Sequence, residues 1–140
     1  MAQHILIEKE YSLPIEEVFN QVTDHENFGR LIGTKILRTT DSTSEYVNGE
    51  GSVRSIHIFP LPSFEETVTA FKNNEYFEYK ITQGSPIKNH IGKLSFSTEG
   101  ETTRLKYTID FDVKIPLPGF GQILKTVLQK QISEGLDRVR

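Results

Sequence analysis

Residues 118–140 read PGFGQILKTVLQKQISEGLDRVR, and this stretch decides the fold of the chain. Its apolar residues recur at helical spacing, which predicts an amphipathic α-helix of about twenty residues, roughly 30 Å long. Gln131 and Gly135 interrupt the apolar face. A glycine inside a helix costs up to about 1 kcal/mol relative to alanine, so either close packing on the sheet or a cavity beneath the helix would explain it. The apolar face itself contains Phe120, Ile123, Leu124, Val127, Leu128, Ile132, Leu136 and Val139.

Length and composition favour one domain that spans residues 1–140. The chain is 36% hydrophobic and 25% charged, which is typical of a globular protein. Its net charge of −3, without a cluster of lysine and arginine, argues against a nucleic-acid partner. The absence of cysteine excludes disulfides and thiolate metal sites. No apolar run approaches the roughly 20 residues that span a bilayer, and the polar N-terminus does not resemble a signal peptide. We therefore expect a cytoplasmic protein.

One strand, two short helices and six more strands are predicted before the C-terminal helix. The first strand covers Gln3–Tyr11, the first short helix begins at Pro14, and Thr23 and Glu26 have capping-box spacing for the second. The short links between strands leave no room for crossovers, so the sheet must be an antiparallel meander. We predict an α+β fold in which a curved seven-stranded antiparallel sheet wraps around the long C-terminal α-helix. The later strands are expected at 35–47, 52–59, 63–72, 75–82, 89–98 and 102–114.

Two hairpin turns set the register of the inner face of this sheet. Residues 73–74, Asn-Asn, read as a two-residue type I′ loop, which puts Glu66 on the inner face opposite Ile81. A two-residue loop at 100–101 puts His90 on the same face. Glu66 and His90 would then lie two strand spacings apart, about 10 Å, which is too far for direct contact.

The loop at residues 60–62, Pro-Leu-Pro, joins the strands that carry Arg54 and Glu66. If this loop contains only these three residues, Ile56 lies opposite Glu66 and Arg54 is a diagonal neighbour of the Glu66 carboxylate. Unpaired charge in a dry core is too costly to persist. One explanation is an internal Arg54–Glu66 pair with His90 hydrogen-bonded nearby. The other, which we favour, is a partly polar cavity that receives the polar end of a ligand.

The predicted ligand-binding residues come from inward strand positions and the underside of the helix. They are Arg54, Ile56, Glu66, Val68, Tyr79, Ile81, His90, Gly92, Leu94, Tyr107, Ile109, Leu124, Leu128 and Gln131. Of these, His90 and Glu66 are the candidates for acid–base catalysis, whereas Tyr79 and Tyr107 are expected to be core aromatic residues with satisfied hydroxyls. We expect no metal and no cofactor, since the four histidines are dispersed. The other three, His4, His25 and His57, are expected at solvated or edge positions.

Three motifs together resemble the START-like, or SRPBCC, superfamily, which has the helix-grip fold. They are the strand-to-helix entry SLPIEEVF at residues 12–19, the glycine turn GEGSVR at 49–54, and the closing helix with Gly135-Leu136. The chain looks most like the polyketide cyclase/dehydrase branch. Abscisic-acid receptors are similar over residues 51–92, and the resemblance implies that residues matching Arg54, Glu66 and His90 point into or border a pocket. Residues 59–63 resemble a gate segment, but the receptors' pocket lysine has no counterpart near Gly29, so hormone binding is not implied.

Three functions are compatible with the sequence. The first is the binding of a hydrophobic or amphipathic small molecule such as a lipid, isoprenoid, quinone or aromatic polyketide. The second is a cofactor-free cyclase or dehydratase with His90 as general acid or base, Glu66 as its partner or a second base, and Arg54 or Tyr79 stabilising an enolate oxygen. The third is a protein-interaction domain, which a large exposed apolar patch would support; none is apparent in the sequence.

Overall fold

The computed structural model describes residues 2–58 and 62–140. Seven strands form one antiparallel sheet in the order β1-β7-β6-β5-β4-β3-β2. The sheet curves around the C-terminal helix, and two short helices follow the first strand, so the predicted fold is confirmed. The elements are β1 (Gln3–Tyr11), α1 (Ile15–Thr23), α2 (His25–Ile32), β2 (Lys35–Thr40), β3 (Val53–His57), β4 (Phe64–Lys72), β5 (Tyr76–Gln83), β6 (Ile87–Glu99), β7 (Thr102–Val113) and α3 (Phe120–Leu136).

Local polar groups shift the ends of several elements from their predicted positions. β2 ends at Thr40 rather than at residue 47, because Ser42 bonds to the backbone oxygen of Glu50 over 2.6 Å and holds the segment in a loop. The cap of α2 is Asp24 rather than Thr23: the Asp24 carboxylate accepts the backbone N–H of Asn27.

One predicted turn type and one predicted register need correction. At residues 73–74 only Asn74 has a positive φ, so the turn is not type I′. A β-bulge within β4 nevertheless leaves Glu66 opposite Ile81, as predicted. Between β3 and β4 the register is two residues away from the prediction, because Arg54 lies directly opposite Glu66. A shift of two residues leaves each side chain on its predicted face.

Helix α3 is buried mainly in its C-terminal half. Ile132 and Leu136 are buried, whereas Ile123 and Val127 are more than half exposed, at 63% and 55%. Part of the apolar face predicted from the sequence is therefore exposed in the first half of the helix. Gly121 at the start of that half packs on Gln3 of β1, and the cavity described below lies between the rest of that half and the sheet.

The C-terminal half of α3 is held against the end of α2. Gln131 donates to the backbone oxygen of Ile32 over 2.9 Å, and Arg138 donates to that of Leu31 over 2.6 Å. These bonds satisfy carbonyls that the end of α2 leaves without helical partners. A Cβ on Gly135 would lie 2.7 Å from Ile32 Cγ2 and 2.8 Å from the oxygen of Leu31. Close packing therefore explains Gly135, although the partner is α2 rather than the sheet.

We predict that Gly135→Ala destabilises the protein by about 1–3 kcal/mol, because overpacking outweighs the gain in helix propensity. Gly121→Ala in the same helix is the matched control, since the added Cβ would meet only the flexible side chain of Gln3, at 3.1 Å. Urea denaturation of both variants measures the difference. Equal free energies of unfolding for the two variants would show that α3 and α2 leave room for a Cβ at position 135.

His25 is fully buried, so its expected position in solvent or at an edge is wrong. Its Nε2 lies 2.9 Å from Ser52 Oγ, while Nδ1 has no hydrogen-bond partner in the described part of the chain. Burial, reinforced by the positive charges of Arg54 and Arg38, lowers the pKa of His25 to about 2. The ring is therefore neutral throughout the physiological range of pH.

This burial predicts a loss of stability in mild acid. The unfolded chain protonates His25 near its ordinary pKa of about 6.5, whereas the folded chain does so only near pH 2. Stability is therefore fully present above pH 6.5 and falls by up to about 1.4 kcal/mol per pH unit as the pH drops toward 2. His25→Gln should flatten the slope of unfolding free energy between pH 6.5 and 4.5, and His57→Gln, at an exposed position, should not. An unchanged slope in the His25 variant would contradict the burial of His25 in the structure.

Candidate functional site

A cavity of about 160 Å³ lies between the sheet and the first half of α3. Val127 lines it and is also more than half exposed, so the cavity opens beside that residue. Most of the wall is apolar. Of the predicted ligand-binding residues, eleven border the cavity: Arg54, Ile56, Glu66, Tyr79, Ile81, His90, Tyr107, Ile109, Leu124, Leu128 and Gln131.

The other three predicted residues, Val68, Gly92 and Leu94, do not line the cavity. Val68 and Leu94 are buried core residues. Gly92 has a packing role instead, because a Cβ there would lie 2.3 Å from the ring of Tyr79. Tyr79 lies on β5, the strand next to Gly92. Because Gly92 has no side chain, the Tyr79 ring has space to lie over it.

Sequence reasoning missed the part of the wall that comes from α2, β2 and the β5–β6 link, together with further positions on or beside β3, β4, β6, β7 and α3. The apolar faces of α2 and β2 were visible as periodic patterns, but nothing in their spacing indicated that they reach under α3. The missed residues are Phe28, Ile32, Thr34, Ile36, Ile58, Phe64, Ser85, Pro86, Ile87, Phe111, Phe120, Val127 and Ile132.

A buried ion pair forms the centre of the polar part of the wall. Arg54 Nε and Nη2 each lie 2.8 Å from Glu66 Oε1, and both residues are buried. The guanidinium carbon also lies over three aromatic rings, 4.5 Å from that of Tyr79, 5.3 Å from Phe28 and 5.8 Å from Phe77. Burial is the largest influence and opposes the charge on Arg54, but Glu66, Tyr79 and Tyr107 together outweigh it and raise the pKa of Arg54.

His90 completes the group at a β-bulge. Asn89, with a φ of 52°, lies in this bulge, so Asn89 and His90 together oppose one residue, Phe111. The backbone N–H of Ile81 donates to His90 Nδ1 over 3.1 Å, and His90 Nε2 lies 3.9 Å from Glu66 Oε2. The expectation that Glu66 and His90 are too far apart for contact is therefore wrong, because the two side chains lean toward each other across Ile81.

The protonation state of His90 follows from these contacts. Burial lowers its pKa, and the positive charge of Arg54 adds to that effect, although Glu66 opposes it. The ring is neutral at pH 7, and Nδ1 must carry the lone pair because it accepts the N–H of Ile81. The proton consequently sits on Nε2, the nitrogen nearer to Glu66.

The hydroxyls of Tyr79 and Tyr107 form a hydrogen bond with each other. Burial raises the pKa of both tyrosines well above the ordinary value, so both are neutral phenols. The expected core aromatic residues with satisfied hydroxyls are thus present, and both also border the cavity. We refer to Arg54, Glu66, His90, Tyr79 and Tyr107 as the polar cluster.

Apolar side chains are also exposed near the start of α3. Leu117 is 59% exposed, and Ile123 and Val127 are similarly open to solvent, which the sequence pattern did not indicate. The gate-like segment predicted at 59–63 falls mostly on residues 59–61, outside the described residues. Within residues 2–58 and 62–140, no three histidine, aspartate or glutamate side chains are grouped as a metal site requires, and no helix is long and apolar enough to cross a bilayer.

This geometry defines a class of protein. A curved antiparallel sheet that wraps a long C-terminal helix over an apolar cavity is the START-like, or helix-grip, arrangement. The family model described as polyketide cyclase / dehydrase and lipid transport matches residues 3–140, so the chain belongs to that family. The resemblance drawn from residues 12–19, 49–54 and 135–136 is thereby confirmed.

Solved structures show the same fold at low sequence identity. A START superfamily protein from Mycobacterium smegmatis is 17% identical, with a TM-score of 0.77 over 97% of this chain and 96% of its own. Ara h 8.0201 is 16% identical, with a TM-score of 0.69 over 99% and 98%. Truncated norcoclaurine synthase from Thalictrum flavum is 12% identical, with a TM-score of 0.69 over 99% and 92%. No curated protein sequence matches the chain.

The ion pair gives a direct test of the site. Glu66→Ala leaves a buried guanidinium without its carboxylate, which typically costs about 3–5 kcal/mol. The neighbouring Glu65 lies on the opposite face of β4, so Glu65→Ala should change stability by no more than about 0.5 kcal/mol. Chemical denaturation compares the two variants, whose replaced side chains lie on opposite faces of the same strand. A silent Glu66 variant beside a damaging Glu65 variant would contradict the register in which Arg54 faces Glu66.

Proposed function

We propose that this protein binds a hydrophobic or amphipathic small molecule in the cavity beneath α3. The observation that carries the proposal is the composition of the cavity wall, which is mostly apolar except for the polar cluster. Apolar walls with a few convergent polar groups are typical of small-molecule sites. The family description, which combines polyketide cyclisation with lipid transport, supports the same class of ligand. That the chain forms a single domain and lies in the cytoplasm stays a prediction from the sequence.

The size of the cavity restricts the ligand further. Its volume of about 160 Å³ is close to the roughly 150 Å³ of an engineered protein cavity that holds benzene. A lipid with two acyl chains is several times larger. Among the ligand classes expected from the sequence, a compact aromatic or isoprenoid molecule therefore fits better than a two-chain lipid.

The first experiment looks for a natural ligand. Native mass spectrometry of the protein purified from its own host should show a mass above that of the 140-residue chain, and solvent extraction should release a small apolar compound. Protein expressed in an unrelated host, unfolded and refolded, is the control and should lack the extra mass.

The second experiment tests the location of binding with propylbenzene as the probe. Leu128→Trp should abolish binding, because Leu128 lines the cavity and the larger side chain fills it. Ile123→Trp is the matched control, since Ile123 lies on the exposed side of the same helix and its replacement should leave the affinity within about twofold. Chemical-shift titration by NMR measures both. Equal binding by the two variants would place the ligand elsewhere and overturn the proposal.

One observation bears on the alternative of a cofactor-free cyclase or dehydratase. The 3.9 Å separation of His90 Nε2 and Glu66 Oε2 brings the two candidate groups together. Neutral His90, however, has its lone pair on Nδ1, bonded to the backbone N–H of Ile81, so it is not poised as a general base. If the protein does catalyse such a reaction through His90, His90→Phe should lower turnover by about 10²–10⁴-fold. A rate that stays within error would remove this mechanism.

A further inference from the structure

We propose that the polar cluster recognises an uncharged hydroxyl group, so that the ligand is a compact neutral alcohol or phenol. The inference rests on the proposed function, because it names the class of ligand for the same cavity. It is carried by three observations: the balance of charge in the cluster, the fixed proton of His90, and the distance between His90 and Glu66.

The charges of the cluster are already balanced. Glu66 Oε1 takes both contacts from Arg54, at 2.8 Å each, and the cation also lies among three aromatic rings. A ligand carboxylate would add a second negative charge beside Glu66, and a ligand ammonium would add a second positive charge beside Arg54. Either would leave the buried cluster with a net charge, which costs more than burying a neutral group.

His90 and Glu66 place a free donor and a free acceptor close together. His90 Nδ1 is occupied by the N–H of Ile81, which leaves Nε2–H as the donor of the ring. Within the described residues, neither His90 Nε2 nor Glu66 Oε2 has a hydrogen-bond partner, and the 3.9 Å between them is too long for a hydrogen bond. Both side chains border the cavity, so both atoms are available to a ligand.

The separation of His90 Nε2 and Glu66 Oε2 suits a single oxygen atom placed between them. An oxygen placed about 2.8 Å from both atoms subtends close to a right angle, which is acceptable hydrogen-bond geometry. That oxygen would accept the Nε2–H of His90 and donate its own proton to Glu66 Oε2. A hydroxyl does both through one atom while remaining neutral, whereas a ketone or ether can only accept.

The test compares four probes with the same propyl-substituted ring: propylbenzene, 4-propylphenol, 4-propylanisole and 4-propylbenzoate. Calorimetric or NMR titration of the wild-type protein should give an affinity for the phenol at least about tenfold above that for propylbenzene, as expected for one pair of buried hydrogen bonds. The anisole, which cannot donate, should gain less than the phenol. The benzoate should bind more weakly than propylbenzene.

His90→Phe provides the matched variant. It removes the donor, so the ratio of phenol to propylbenzene affinity should fall toward one. His57→Phe replaces an exposed histidine and should keep the ratio unchanged. Should His90→Phe fail to fold, ¹⁵N NMR of the wild-type imidazoles supplies an independent measurement, which should show the His90 proton on Nε2 and none on Nδ1.

The outcomes separate this inference from the proposed function. Binding of propylbenzene without a preference for the phenol, tightest binding by the benzoate, or a proton on Nδ1 would overturn the inference and leave cavity binding intact. Failure of all four probes to bind would overturn both. A phenol preference that depends on His90 and not on His57 would support the inference.

Discussion

The structure depends on the burial of one permanent positive charge. A guanidinium cannot give up its proton inside a protein, so the chain must surround Arg54 with groups that stabilise it. Glu66 supplies the opposite charge directly across the β3–β4 ladder, and Phe28, Phe77 and Tyr79 supply the faces of three aromatic rings. These partners come from α2, β4 and β5, so satisfying one cation ties together elements that are distant in the sequence.

The same charge adds to the effect of burial on two neighbouring histidines. It lowers the pKa of His25 on one side and of His90 on the other, in both cases adding to the effect of burial. Both histidines are therefore neutral, but with different consequences. His25 is shut into the core beside Ser52, where its neutrality is a condition of folding, whereas His90 borders the cavity and offers a defined donor there.

The alternation of side chains along each strand predicted the fold and the inner face of the sheet well. Because side chains alternate with a period of two, an error of two residues in the register leaves each side chain on its correct face. Arg54 was assigned the wrong partner position, yet its face was right for that reason. The contacts between side chains on different strands, and the packing of the helices on the sheet, could not be predicted in the same way. The approach of Glu66 and His90 depends on a bulge beside His90 and on how the two side chains lean. The burial of His25 and the exposure of Ile123 depend on how the helices sit on the sheet, which periodicity within one element does not contain.

The contact at Gly135 has a mechanical consequence, because it holds the C-terminal half of α3 tightly against α2, whereas the start of the helix meets β1 through the flexible side chain of Gln3. Fifteen residues separate Gly135 from Phe120, a distance of about 22 Å along the helix axis. A rotation of about 5° at the fixed end would therefore displace Phe120 by about 2 Å, while Gln131 and its bonds to α2 would hardly move. Such a rotation would also have to shift the start of α3 against Gln3 of β1, so the packing at both ends of α3 sets the width of the cavity mouth.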